Sequence, residues 1–138
     1  MDMSVRYRMT MIAALALMLT LSFAMLSVSQ DSCADSGVCG EGITYNLTDG
    51  TLTITYVEGT GVMDDYLNDS PWFEDRGSII SIVVTEGITH IGNRSFVLLS
   101  KVNSITLPST LKSIGKEAFF RCVTSGTIEL PDGLESIG

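Results

Sequence analysis

One stretch of eleven residues decides the fold of this chain: Ile105-Thr106-Leu107-Pro108-Ser109-Thr110-Leu111-Lys112-Ser113-Ile114-Gly115. Its pattern occurs earlier as Ile82-Val83-Val84-Thr85-Glu86-Gly87-Ile88-Thr89-His90-Ile91-Gly92 and later as Ile128-Glu129-Leu130-Pro131-Asp132-Gly133-Leu134-Glu135-Ser136-Ile137-Gly138. The closing glycines show that the step is constant, since 115 − 92 = 23 and 138 − 115 = 23. A fixed step of this length predicts a solenoid, in which each copy forms one coil that stacks on the coil before it.

The start of each coil is predicted to be a short strand. Ile105 and Leu107 alternate with polar neighbours, which is the two-residue period of a half-buried strand. Pro108 ends the strand, because proline has no N–H to donate to a neighbouring strand. One coil has too little apolar surface to form a core, so stacking is expected to join the apolar residues into two ladders. The ladders are Ile82, Ile105 and Ile128, and Val84, Leu107 and Leu130.

The second half of each coil is predicted to turn and then become helical. Gly115 is expected to adopt a positive φ, which glycine tolerates without a steric penalty. Residues 116–122 are predicted to form about two helical turns, with Ala118, Phe119 and Cys122 on one side. In this arrangement Cys122 is a small, buried, apolar residue rather than a reactive thiol.

These residues carry a resemblance to a known family. From Ile105 to Cys122, the pattern Ile-x-Leu-Pro-x-x-Leu-x-x-Ile-Gly-x-x-Ala-Phe-x-x-Cys resembles the BspA-type leucine-rich repeat, although Ser95 stands where the motif has Ala. Upstream residues resemble the N-terminal cap of such proteins, namely Cys39-Gly40, Asp49-Gly50-Thr51-Leu52-Thr53-Ile54, Gly59-Thr60-Gly61, Met63, Tyr66 and Pro71-Trp72.

The resemblance, together with an apolar N-terminal run, predicts three segments. Residues 1–29 are a leader, residues 30–78 are an N-terminal cap with a β-hairpin, and residues 79–138 are leucine-rich repeats, the last of them incomplete. The implied fold is mainly β with short helical turns, a leucine-rich-repeat solenoid behind a hairpin cap and a hydrophobic leader helix.

The leader has the pattern of a secretory signal. Arg6 and Arg8 precede an uncharged apolar run over residues 9–28, and Ser27-Val28-Ser29 suggests cleavage before Gln30. The alternative is a retained anchor, since the run reaches the roughly 20 residues that a membrane helix needs. In that case the two arginines would keep the N-terminus cytoplasmic. Both alternatives place the rest of the chain outside the cell or at its surface.

The hairpin prediction comes from two alternating runs, residues 43–47 and 52–56. They flank Asp49-Gly50, a dipeptide that favours a tight hairpin turn. The hairpin is expected to cover the open end of the first repeat, where strand groups would otherwise be unpaired. Trp72 and Phe73 are expected to pack against it.

The exported part contains two cysteines ahead of the hairpin. Cys33 and Cys39 are predicted to form a disulfide that staples a loop before the first strand, because disulfides persist outside the cell. No further Cys or His lies nearby, which disfavours a metal site.

The net charge excludes some partners. The whole chain carries −8, and Arg6, Arg8 and Asp2 give the leader +1, so the exported part carries −9. An acidic module is not expected to bind nucleic acid, and it would contact a membrane only through its leader.

No residue pattern predicts catalysis. His90 is the one histidine and occupies the position of Ser113 and Ser136 in the repeat, so it is interpreted as a surface residue. The acidic stretch of residues 64–75 lacks the ligand spacing of a calcium loop and is interpreted as a solvated loop. No enzyme activity, cofactor or metal is therefore predicted.

The predicted function is binding. Val83, Thr106 and Glu129 are the outward residues of the successive strands and form the candidate binding face. The resemblance implies adhesion to an extracellular protein or a matrix surface. Asn46 and Asn93 lie in triplets that match the N-glycosylation pattern.

The alternative is a structural role. The chain would then be a capped stub or fragment of a longer repeat array, or part of a surface layer, with no ligand of its own. Ile128 and Leu130 at the uncapped C-terminal end are candidates for self-association.

Overall fold

A computed structural model describes residues 35–122 and 125–138. The predicted leader and Cys33 lie outside the described residues. None of the described residues belongs to a helix with the length and apolar character that crossing a bilayer requires.

The described residues form eight strands in two sheets. The long sheet has the order β1-β2-β3-β4-β6, and the short sheet has the order β5-β7-β8. The strands are β1 (Asp35–Gly40), β2 (Ile43–Thr48), β3 (Thr51–Tyr56), β4 (Ser81–Val84), β5 (His90–Ile91), β6 (Ser104–Thr106), β7 (Ser113–Ile114) and β8 (Ser136–Ile137).

The two alternating runs pair as an antiparallel hairpin. Strands β2 and β3 are in register from Ile43 with Tyr56 to Thr48 with Thr51. Asp49 and Gly50 both have positive φ, 50° and 76°, which is the conformation that matches a two-residue turn to the strand twist. The residues ahead of the hairpin do not form the predicted loop, because β1 pairs with β2 along its length.

Parallel pairing joins the hairpin to the repeats. Strand β3 pairs with β4, and β4 pairs with β6. Ile82 lies opposite Ile105 and both are buried, which confirms the first ladder over these two coils. The short sheet stacks the second halves of the coils in the same way, with Ile91, Ile114 and Ile137 in register.

The ladders do not extend as predicted into the third coil. Residues 127–130 form no strand, Ile128 is half-buried and Leu130 is 51% exposed. This coil is held through its other half, where Glu135 N–H donates to Lys112 O at 2.8 Å. No described residue covers Leu130 from the far side, so the burial that fixes the preceding ladder steps is missing here.

The N-terminal segment, residues 35–78, contributes a coil that the repeat pattern does not show. Thr53 pairs with Val83, and Gly61 O accepts the N–H of Thr89 at 2.7 Å. The offsets of these contacts are 83 − 53 = 30 and 89 − 61 = 28, and both exceed the repeat step of 23. This coil is thus longer than a repeat, yet it presents both a strand and a turn to the first repeat.

The prediction of two helical turns over residues 116–122 is wrong. Glu117 and Arg121 have positive φ of 55° and 54°, and the equivalent Arg94 and Leu98 have 55° and 60°. A left-handed residue at every fourth position prevents a helix. Backbone carbonyl groups of this segment instead accept N–H groups from the preceding coil, as Phe120 O does from Leu98 N–H at 2.9 Å.

The prediction of a positive φ at Gly115 is also wrong, since Gly115 is not among the residues with positive φ. Its glycine is required by close packing. A Cβ at Gly115 would lie 2.6 Å from the backbone nitrogen of Asn93 and 2.8 Å from the carbonyl carbon of Gly92. Gly138 meets Gly115 in the same way, so the repeated glycines mark where consecutive coils touch backbone to backbone.

A column of aromatic rings runs through the core. Trp72 is fully buried and stacks on Phe96 with a centroid distance of 5.6 Å, and Phe96 stacks on Phe119 at 5.2 Å. Tyr45 meets Trp72 edge-on at 5.2 Å. The Trp72 indole N–H donates to Ser95 O at 3.0 Å, which satisfies its polar atom. The column connects the hairpin to the repeats, and Phe73 is only half-buried beside it.

We expect Gly115→Ala to lower the free energy of unfolding by about 1–3 kcal/mol, because the new methyl group must push two backbones apart. Gly77→Ala is the matched control, since a Cβ there has no neighbour within 4 Å. Urea unfolding followed by the fluorescence of Trp72 measures both. Equal stability of the two variants would contradict the close approach.

Candidate interaction surface

The outward face of the long sheet is a regular surface to which five strands contribute. The inward residues of its strands, such as Ile54 and Ile82, are buried in the core. The pairing registers arrange the outward residues in three rows across the strands. The rows are Thr48, Thr51, Ser81 and Ser104; Ser36, Asn46, Thr53, Val83 and Thr106; and Val38, Thr44 and Thr55.

Two of the three predicted binding residues lie side by side on this face. Val83 is paired with Thr106 in the middle row, half-buried and exposed respectively. Glu129 is exposed but belongs to the unpaired part of the third coil, so it does not extend the row. It lines a groove of about 450 Å³ with Glu86 and Ser109, and it shares a smaller cavity of about 190 Å³ with Thr106.

Sequence reasoning missed the part of this face that the hairpin supplies. Asn46 and Thr53 continue the row of Val83 toward the N-terminus. The polar positions of the two alternating runs carry the signal for these outward residues. The sequence predicts a hairpin that covers the end of the first repeat, and such a hairpin need not continue the sheet of the repeats. The outward residues of the hairpin can be assigned to this face only because β3 pairs with β4.

The outward face carries no charge. All twelve residues of the three rows are Ser, Thr, Asn or Val. Hydroxyl groups join neighbouring strands, as Ser81 and Ser104 do with 2.8 Å between their Oγ atoms. Such groups both donate and accept, so the face offers hydrogen bonds to a neutral partner without repelling either sign of charge.

The carboxylate of Glu86, at the edge of this face, binds the equivalent turn of the next coil. Glu86 accepts the backbone N–H of Ser109 at 2.8 Å, its hydroxyl at 3.0 Å and the backbone N–H of Thr110 at 3.3 Å. The bond from the Ser109 backbone is the main cause that lowers the pKa of Glu86 below its ordinary value of 4.5.

His90 is not a free surface residue. It is half-buried, and its Nδ1 lies 2.7 Å from the hydroxyl of Ser113, its equivalent in the next coil. The acidic stretch also has a structural contact, because Asp65 Oδ1 accepts the N–H of Asn93 at 2.7 Å. Within residues 35–122 and 125–138, no group of three or more metal-ligating side chains is close enough to hold an ion.

The cysteines lie in different surroundings. Cys39 is fully buried, and burial, assisted by the carboxylate of Asp64, raises the pKa of its thiol to about 12. Because Cys33 lies outside the described residues, its pairing with Cys39 stays a prediction. Cys122 is half-buried rather than fully buried, and burial raises the pKa of its thiol.

The two candidate glycosylation sites differ in accessibility. Asn46 is exposed on the outward face and its Oδ1 accepts the hydroxyl of Thr48 at 2.5 Å. Asn93 is half-buried and its Oδ1 accepts the N–H of Lys116 at 2.5 Å, so its side chain already joins two coils. Both sites stay predictions, and Asn46 is the more accessible.

Comparisons with known proteins agree with the repeat architecture. Residues 69–138 match the family model of the BspA type leucine rich repeat region, a model with six copies. No curated protein matches the chain. The structure is similar to a leucine-rich repeat protein from Eubacterium ventriosum, with 32% sequence identity and a TM-score of 0.63.

That similarity covers 76% of this chain and 28% of the Eubacterium protein, so the chain spans less than a third of the length of that protein. A leucine-rich repeat protein of T. pallidum matches with 18% identity and a TM-score of 0.41, over 73% of this chain and 64% of that one.

We expect the Glu86 carboxylate to make stability depend on pH. Its folded pKa lies below its unfolded pKa, so its contribution is fully present above about pH 4.5 and is lost as pH falls through the folded pKa. Glu86→Gln should flatten this part of the stability curve, measured by urea unfolding from pH 6 to pH 3. Glu74→Gln is the control, because that exposed carboxylate accepts no hydrogen bond from any described residue. An unchanged curve for Glu86→Gln would contradict the assignment.

Proposed function

Because this chain belongs to the BspA-type leucine-rich repeat family, we propose that it is an exported cell-surface or secreted module that binds proteins. The observation that carries the proposal is the outward face of the long sheet. It spans five strands and is free of charge, and none of its twelve residues is buried. The proposed partner is an extracellular protein or a matrix surface, and the proposed role is adhesion.

The surface chemistry favours many weak contacts over one strong contact. The face has no aromatic or arginine residue, which are the side chains that dominate interface energies. Neighbouring strands are about 4.8 Å apart, so the Thr and Ser hydroxyl groups along a row can offer hydrogen bonds at that spacing. Affinity would therefore come from repetition along an extended array, which suits a module whose relatives are longer.

Export is proposed from the leader. The basic start and the apolar run of residues 9–28 support either a cleaved signal or an anchor that keeps the protein at the cell surface. The net charge of the chain supports a soluble exterior module and disfavours nucleic acid as a partner. No residue arrangement on the described surface supports an enzymatic step.

A second candidate function is self-association or array formation through the third coil. Ile137 is 61% exposed and Leu130 is 51% exposed, although their equivalents in the first repeat, Ile91 and Val84, are buried. Strand β8 has a hydrogen-bonded neighbour on one side only among the described strands. Such an edge favours pairing with a further coil or with a second copy.

We expect Thr53→Lys and Thr106→Lys to weaken binding to an immobilised panel of extracellular-matrix proteins at least tenfold. Each places a charge and a long side chain in the middle row of the uncharged face. The control is Ser100→Lys, an exposed residue outside this face. Surface plasmon resonance measures the change. If Ser100→Lys weakens binding equally, the loss of affinity comes from the added charge and not from a change in the outward face.

We expect Ile137→Glu to abolish concentration-dependent association of the full chain, because a carboxylate cannot be buried unpaired between two coils. Val57→Glu is the matched control, since Val57 has the same exposed fraction, 61%, on the N-terminal segment. Sedimentation velocity over a concentration series distinguishes them. Association that survives Ile137→Glu would remove the third coil as the contact surface.

A further inference from the structure

A second candidate surface lies away from the outward face of the long sheet. It is a cavity of about 320 Å³ to which three consecutive coils contribute two neighbouring residues each. These residues are Tyr66 and Leu67, Asn93 and Arg94, and Lys116 and Glu117. Asn93 and Arg94 are one repeat step from Lys116 and Glu117, so the cavity follows the stacking direction. None of the six belongs to the outward face of the long sheet.

The backbone around the cavity is shaped by left-handed residues. Arg94 and Glu117 have positive φ of 55° each, and Arg94 N–H bonds to Lys116 O at 3.0 Å. Residues other than glycine rarely adopt this conformation. It recurs at equivalent positions of the repeat, as it does at Leu98 and Arg121, so it belongs to the repeat turn and places Arg94 and Glu117 at the same point of consecutive coils.

Two polar atoms at the cavity lack hydrogen-bond partners. The hydroxyl of Tyr66 and Nε of Arg94 are buried, and neither bonds to a described residue. Burial raises the pKa of Tyr66, so its hydroxyl stays protonated. The guanidinium of Arg94 uses Nη1 to bond Leu67 O at 3.0 Å, and its buried Nε faces the carboxylate of Glu117. Unsatisfied buried groups are rare in folded proteins and require an explanation.

The charges at the cavity differ from those of the N-terminal segment beside it. Residues 35–78 carry nine carboxylates against Arg76, a net charge of 1 − 9 = −8. Residues 79–138 carry five positive and five negative side chains, a net charge of zero. At the cavity, Lys116 makes no ion pair with any described residue, and Asp65 nearby is engaged with the N–H of Asn93.

Glu117 shows what kind of group fits beside Arg94. Its Oε2 lies 3.8 Å from Arg94 Nε, too far for a hydrogen bond but close enough for an ion pair. Both side chains are more than 40% exposed, so water screens this pair and an incoming group can displace it. The internal carboxylate thus competes with an external one for the same arginine.

We propose that this cavity binds a carboxylate side chain of an acidic peptide segment in a partner protein, with Arg94 and Lys116 as its ligands. Leu67, which is 85% exposed at the rim, contacts an apolar residue next to that carboxylate. The apolar rim favours a peptide over a free anion such as phosphate. The site goes beyond the proposed role of the outward face and does not depend on it.

The test uses the full ¹⁵N-labelled chain and two synthetic peptides, Gly-Leu-Glu-Leu-Gly and Gly-Leu-Gln-Leu-Gly with blocked ends. We expect the Glu peptide to shift the amide signals of Asn93, Arg94, Lys116 and Glu117, and the Gln peptide to bind at least tenfold more weakly. Inorganic phosphate is the third titrant. Phosphate that binds as tightly as the Glu peptide would overturn the assignment to a peptide.

Three variants distinguish binding at this cavity from a general effect of charge. Arg94→Gln should weaken binding of the Glu peptide about tenfold, the range for loss of a charged hydrogen bond. Glu117→Gln should strengthen it several-fold by removing the competing carboxylate. Lys112→Gln is the control, because Lys112 pairs with Glu135 at 3.9 Å and does not line the cavity.

Two outcomes would overturn the proposal. One is equal weakening by Arg94→Gln and Lys112→Gln, and the other is no gain in affinity with Glu117→Gln. The fluorescence of Trp72 checks that each variant is folded, and Glu117→Gln keeps the test valid if Arg94→Gln does not fold. Thr53→Lys should leave this titration unchanged, so failure of the outward face and failure of the cavity are distinguishable.

Discussion

Stacking in register is the constraint on which the rest of the structure depends. No coil closes a core by itself, so every apolar side chain must meet its equivalent in the next coil. The polar side chains enforce the same step, since Glu86 bonds Ser109 and His90 bonds Ser113, each 23 residues later. A slip of one residue would break these bonds and turn the strand side chains to the wrong face. Both candidate binding surfaces follow from this register, because each is assembled from residues of consecutive coils.

The N-terminal segment meets the same constraint without the repeat sequence. It presents β3 and Gly61 to the first repeat at two different offsets, both of them longer than the repeat step. Two of its additional residues lie between these contacts, since 61 − 53 = 8 and 89 − 83 = 6, and the others follow Gly61. Trp72 then connects the segment to the phenylalanine stack of the repeats. The segment therefore continues both the sheet and the core, and does not merely cover their end.

The repeat step, the hairpin and the buried positions of the first two coils could be predicted from the sequence, because each depends on local alternation or on identity at fixed spacing. The helical turns could not. The residues from 116 to 122 include good helix formers, but in the folded chain Glu117 and Arg121 are left-handed, and the carbonyl groups of the residues between them accept N–H groups from the neighbouring coil. The sequence of one coil does not show these contacts. The packing role of Gly115 could not be predicted for the same reason, since close approach depends on the neighbouring coil.

The candidate surfaces show the same division. Val83 and Thr106 could be placed on one face from strand alternation alone. The row that contains these two residues continues through Thr53 because β3 pairs with β4, and no periodicity in the sequence predicts that pairing. Arg94 and Lys116 are polar residues at ordinary positions in the repeat, and their common cavity becomes visible only when Leu67 of the preceding coil is set beside them.

The parallel ladders between coils determine how the molecule would respond to tension. A force along the stacking direction would break the hydrogen bonds between two coils one after another, because these bonds lie along that direction. It would not load all of them at the same time. Each coil that detaches would add up to about 80 Å of extended chain. An anchored array of such coils would lengthen stepwise under flow while its remaining coils stay folded, and each detached coil could stack again once the load falls.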